Sequence, residues 1–220
     1  NDKLSSYFSS ISLPGVIDFN FQRIGSFFNL YRLQSDEYTT YVLLDDQSSP
    51  VAMASLLFRR VAIEGHTETV CFATDLRVSP ARGAVLSWSQ HFLPILEKEK
   101  EKHQCQYVFS MVTQNQKIAH NAFLRPRSMK RKLPRYFLFR KFHIVSIHGI
   151  WPFRSHPLRS IRIHSYQDSD HDSLVHYLHK KKSSKPLSFA IKKEDIEDTV
   201  DRWKDLNWSH FLLAKDNKGN

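Results

Sequence analysis

An α+β fold, with a mixed and mostly antiparallel sheet flanked by helices, is what three stretches of this sequence predict. Residues 39–45 (TTYVLLD), 51–62 (VAMASLLFRRVA) and 68–78 are apolar and β-branched, and short polar loops join them as in an antiparallel meander. The third run stops at Pro80, which has no N–H for a sheet ladder, and Val85, Trp88, Phe92 and Leu96 then recur at helical spacing. Another strand-like run, 107–112, follows that helix. A strand reached through a helix lies parallel to the one before it, so the predicted sheet has a parallel pair at its centre.

The remaining elements are placed in order around this frame. Residues 16–22 alternate Ile17, Phe19 and Phe21 against polar neighbours, the pattern of a half-buried strand. Ser26 is positioned to cap a short helix over 26–31. The loop 46–50 (DQSSP) is a hairpin connection, and Pro94 is expected to kink the last turns of the long helix. Residues 116–124 read as a short helix ended by Pro126, 137–147 as the last strands, and 149–157 (GIWPFRSHP) as a linker. Beyond it the pattern restarts with a strand over 161–166, helices over 168–181 and 195–206, and a strand over 210–214. SHFLLAKDNKG there echoes TTYVLLDDQSS of the first half. The expected organisation is a domain over 1–149, a linker over 150–159, and the opening of a second, similar domain over 160–220.

Composition narrows the function classes. Within 220 residues the formal net charge is +10, and the stretch 125–141 (RPRSMKRKLPRYFLFRK) carries eight Lys or Arg and no acid. Such a balance favours anionic ligands; a solvated connector is the plainer account of the run, with nucleic acid as the sharper one. Two cysteines, Cys71 and Cys105, make neither a disulfide framework nor a metal site, and both are expected to be reduced and buried. No apolar run approaches the roughly 20 residues that span a bilayer, and the first residues lack a signal-peptide core. A cytoplasmic protein without a membrane partner is therefore expected. A homodimer stays open.

The chemistry is concentrated at 71–96. A helix that starts straight after a strand, through Arg82-Gly83-Ala84, aims unpaired N–H groups and the positive end of its dipole at whatever lies in front, which makes an anion seat. The order strand, Asp75-Leu76-Arg77-Val78-Ser79-Pro80, Arg82-Gly83, long helix, then a strand leading to Thr113-Gln114-Asn115 resembles the GNAT superfamily of acyl-CoA N-acyltransferases. The likeness covers about residues 27–149. In that family the loop reads Arg/Gln-x-x-Gly-x-Gly/Ala; here Val85 and Ser87 stand at the glycine positions, or Gly83 is the first glycine of a loop one residue shorter.

The resemblance implies acetyl transfer from the cosubstrate acetyl-CoA to a primary amine by direct attack in a ternary complex, in a sheet whose central parallel strands splay. It implies pantetheine pairing with the backbone around Leu76, Arg77 and Val78, a pyrophosphate seat formed by Arg82, Gly83, Ala84, Val85 and Ser87, and Asn115 beside the thioester. Asp75 is the expected base, with Glu64, Glu68 and His120 as alternatives. The family's acid is a tyrosine on the helix after the second parallel strand, and here its position falls on Ala122 beside Phe123. A catalytically inactive GNAT-like module that binds a regulatory ligand or nucleic acid is the competing expectation. His164, Asp168, Asp170, His171, Asp172, His176 and His179 cluster in sequence, but helix capping accounts for the acids and no metal site is expected.

Overall fold

The computed structural model describes residues 2–12, 21–64, 66–113, 136–142, 160–185, 187–188, 194–203 and 206–216. It divides into two compact units, one of Asn1–Phe137 with Lys185–Ala190 and one of Leu138–Ser184 with Ile191–Asn220.

In the first unit, β1 (Glu37–Leu44), β2 (Pro50–Ile63), β3 (His66–Val78) and β4 (Tyr107–Phe109) form one sheet in the order β1-β2-β3-β4. The first two pairings are antiparallel and β3 with β4 is parallel, as the connections predict. The β1–β2 turn is fixed by Asp45, whose Oδ1 accepts from the N–H groups of Gln47 and Ser49 at 3.0 and 2.8 Å. Among the described residues β4 is the end of the sheet rather than its middle.

Side chains alternate across β2, so one strand supplies two cores. Met53 and Leu57, with Phe72 of β3, pack under Phe8 of α1 (Asp2–Ser10) and under Phe27 and Tyr31 at α2 (Asn29–Gln34). Leu56 and Phe58, with Cys71 of β3, pack against Leu96 of α3 (Arg82–Lys102) and Cys105. Each fully buried Leu or Met is worth about 1.5–3 kcal/mol. Both cysteines are free and buried, as expected.

Several boundaries move, each for a local reason. The second helix opens at Asn29, with Phe28 at the capping position and no side-chain cap, because Ser26 is used in a turn whose carbonyl accepts from the Asn29 N–H. α3 begins at Arg82, ahead of its apolar stripe, and runs unbroken across Pro94; the lost N–H is outweighed by the packing of Phe92 and Leu96 on the sheet. β4 holds three residues instead of six. Residues 137–142 carry no strand, and Phe137, Phe139 and Phe142 are exposed. The predicted strand at 16–22 and helix at 116–124 lie mainly or wholly outside the described residues, as does the linker.

The second unit pairs β5 (Ile161–Ser165) antiparallel with β6 (Leu212–Asp216), and α4 (His171–Ser183) and α5 (Glu194–Arg202) supply Leu174, Val175, Ile196 and Val200 to its core. Asp170 closes the turn before α4: its carboxylate accepts from the Gln167 N–H at 3.0 Å and from Lys215 at 2.5 Å. β6 starts two residues later than predicted because Trp208–His210 is a tight helical turn. Between α4 and α5 the chain passes through the first unit, where Leu187 donates to the Ala62 carbonyl and Ser188 accepts from the Ala62 N–H, each at 3.0 Å.

Candidate functional site

The C-terminal half of β3 differs from the strand that leads into it. Ser55 pairs with Thr74 and Met53 with Arg77, so Asp75 and Leu76 together face one β2 residue and form a bulge. Asp75 adopts φ +53°, a left-handed conformation that short polar side chains tolerate best. On the opposite edge, β4 follows β3 only from Val70 to Phe72. From Ala73 to Val78 that edge has no strand partner among the described residues. The parallel pair is thus joined at one end and open at the other.

The open end leads into the start of α3. Val85 makes the first helical bond, its N–H to the Ala81 carbonyl at 3.2 Å, so the N–H groups of Arg82, Gly83 and Ala84 have no carbonyl within the helix. No side chain caps this end and no acid sits in its first turn. Ala84 is buried, whereas Gly83 and Val85 face outward. A Cβ on Gly83 would meet nothing within 4 Å, so the protein's own packing does not require glycine here. Ser87 lies one turn further along the helix, half-buried.

Behind the bulge runs a buried polar chain. The Asp75 Oδ2 accepts from the Arg23 guanidinium and from the Tyr31 phenol, both at 2.5 Å. Tyr31 accepts from Ser55 at 2.9 Å, and Ser55 bonds Thr40 on β1 at 2.8 Å. Burial, and then the Asp75 carboxylate, push the Tyr31 phenol far above its ordinary range. Asp75 Oδ1 takes no hydrogen bond from a described residue, so one carboxylate oxygen holds the network and the other is spare. Arg77, opposite Met53, turns onto the same face, with its guanidinium carbon 4.6 Å above the Phe8 ring.

Of the residues expected at the site, Asp75, Leu76, Arg77 and Val78 line the bulged half-strand, and Arg82, Gly83, Ala84, Val85 and Ser87 share the first turns of α3. Only the backbone of Arg77 is placed for a ligand lying along that edge, because its side chain is drawn under α1. Glu68 is near the far end of β3, about 20 Å along the strand from the bulge at 3.3 Å per residue, and Glu64, in the turn between β2 and β3, lies beyond that end. Asn115 and His120 lie outside the described residues. One phenol escaped the sequence reading: Tyr136 bonds the side chain of Ser110, the residue just past β4, and burial raises its pKa. Its only signal was its place in the basic, aromatic stretch.

Strand order, bulge, split parallel pair and strand-to-helix turn together define an α+β domain built on a mixed sheet. Solved structures similar to the chain include acetyltransferases. A putative acetyltransferase from Agrobacterium tumefaciens has a TM-score of 0.41 at 16% identity, over 64% of this chain and 92% of that one. A Trypanosoma brucei acetyltransferase has 0.31 at 20% identity, over 46% and 69%. Glucosamine-6-phosphate N-acetyltransferase from Arabidopsis thaliana has 0.34 at 14% identity, over 50% and 74%. No family model and no curated protein matches the sequence.

Proposed function

We propose that the chain is an acyl-CoA-dependent N-acyltransferase that passes acetyl from acetyl-CoA to a primary amine within a ternary complex. The observation that carries this reading is the Ala73–Val78 edge of β3, unpaired among the described residues and running into the uncapped start of α3. The pantetheine arm bonds to that edge as a strand would, and the pyrophosphate takes the free N–H groups at Arg82, Gly83 and Ala84. Val85 and Ser87 border that seat.

The acceptor's ammonium gives up a proton to the spare Oδ1 of Asp75, directly or through water, and the nitrogen lone pair so freed attacks the thioester carbon. A C–N bond forms and the C–S bond breaks. Tyr136, held by Ser110 beyond the end of β4, protonates the departing thiolate, and the proton that the acylated nitrogen sheds as the amide forms returns through water to Tyr136. The products are an amide and free coenzyme A.

Calorimetric titration with acetyl-CoA tests the reading. Saturable binding supports it, and no heat of binding at millimolar ligand overturns it. A second reading, an inactive module that binds nucleic acid, draws on the exposed Phe137, Phe139 and Phe142 beside Arg140 and Lys141. It requires salt-dependent retention on a polyanion column and indifference to Arg82→Ala.

A further inference from the structure

The polar cluster behind the bulge does not balance its charge. It holds two guanidiniums, Arg23 and Arg77, and one carboxylate, Asp75. Arg23 uses that carboxylate in a 2.5 Å pair. Arg77 is 8% exposed, and among the described residues it makes no ion pair. Its one hydrogen bond runs from Nη1 to the carbonyl of its neighbour Leu76 at 3.0 Å, and its Nε has no partner. Arg23 Nε is likewise buried without one.

Aromatic faces account for part of this. The Phe8 ring lies 4.6 Å from the Arg77 guanidinium carbon and 5.2 Å from that of Arg23, and Tyr31 lies 5.4 Å from Arg23. A ring face softens the desolvation of a cation but accepts no N–H bond in the guanidinium plane. Tyr31 and Tyr7 add no negative charge, because burial raises both phenols. The described cluster therefore carries one uncompensated positive charge, and a buried unpaired charge is among the most expensive things a fold can hold. The Arg23 and Asp75 side chains keep 15% and 13% exposure, so the cluster reaches solvent on their side.

We infer that Arg77, with Arg23 beside it, is a receptor for one carboxylate of the acyl acceptor. The acceptor class is a zwitterion, an amine with a carboxylate a few bonds away. This rests on the transferase reading only for the acceptor's role: the carboxylate lies on Arg77 while the amine meets the spare oxygen of Asp75. A fork of planar donors fits a carboxylate better than a single ammonium would. The overall charge of +10 turns polycationic acceptors away.

Thermal unfolding of the whole chain, read by fluorescence, tests the site without relying on turnover. The probes are matched pairs at equal ionic strength: glycine and glycinamide, alanine and alaninamide, leucine and leucinamide. At tenfold excess over Kd the acids should raise Tm by about 3–6 °C and the amides should not. The shift should vanish in Arg77→Met, which keeps the apolar stem over Phe8. Equal shifts for both members of a pair, or a shift that survives Arg77→Met, overturns the proposal. Should Arg77→Met lose its cooperative transition, Arg77→Lys decides on the same pairs: a weakened shift supports the receptor and an unchanged one sinks it. Acetyl-CoA calorimetry on the same samples separates the two readings. Binding of coenzyme without discrimination between acids and amides removes the receptor alone, and discrimination without coenzyme binding removes the transferase alone.

Discussion

Replacing Tyr31 by Phe probes the buried chain at its midpoint. The hydroxyl donates to Asp75 at 2.5 Å and accepts from Ser55 at 2.9 Å, while its ring packs 5.8 Å from Phe27 and 5.6 Å from Tyr38. Phe keeps the ring contacts and removes only the oxygen. A hydrogen bond to a charged acceptor is worth about 1.5–3 kcal/mol, and Ser55 retains Thr40 as a partner, so the expected loss is about 2 kcal/mol. At about 2–4 °C per kcal/mol that lowers Tm by about 4–8 °C in calorimetry at pH 7.

The pH dependence adds a second readout. The folded Tyr31 phenol titrates above its ordinary value, so its contribution is complete below about pH 10. Above that the unfolded chain sheds a proton that the folded one keeps, and stability falls as pH rises. Phe has no proton to shed, so the gap between the two proteins should narrow above pH 10. A loss under about 0.5 kcal/mol at pH 7, the range of an ordinary surface substitution, or a gap that stays constant into alkali, refutes the network as described.

Three further outcomes follow from the same geometry. Gly83→Ala, with open space at its Cβ, should hold or raise stability by up to about 1 kcal/mol while weakening acetyl-CoA by calorimetry; unchanged affinity removes the backbone seat. Burial pushes the Cys71 thiol up to about 12 and raises Cys105 as well, so Ellman's reagent should label neither until the fold is denatured, and prompt native labelling contradicts this. Glu99 is pushed up by burial, but Tyr41 at 2.7 Å, Lys102 and His103 outweigh that and hold its carboxyl below the usual range. A depressed carboxyl stabilises above its unfolded pKa and loses that as pH falls. Glu99→Gln should therefore cost about 1–3 kcal/mol at pH 7 and flatten the acid limb of a urea-unfolding pH series; an unchanged limb contradicts the assignment.

The sheet and the strand-to-helix junction were legible because both rest on local signals: alternation along β2, a proline that ends β3, and helical spacing from Val85. What the sequence concealed is set by contacts between distant residues. Nothing local distinguishes Asp75 in a bulge from Asp75 in a regular strand, since the bulge follows from the offset between Ser55–Thr74 and Met53–Arg77. Arg77 read as one member of a backbone motif, and its burial under Phe8 depends on a helix 60-odd residues earlier. Tyr136 stands beyond the helix where the resemblance places the acid. The early end of β4 has the same origin: 107–112 has strand composition throughout, but pairing stops at Phe109 where β3 and β4 part.

The pair of bonds at Ala62 bears on how this polypeptide can be dissected. The first unit is completed by residues that lie some fifty positions past its main body, so it is not one continuous piece of gene. Cutting the message ahead of codon 185 would leave the overhanging end of β2 with a bare amide and a bare carbonyl, the kind of raw edge on which other chains nucleate. Removing 187–188 while keeping everything before it would ask whether those few atoms, rather than any larger module, let the first unit be handled alone.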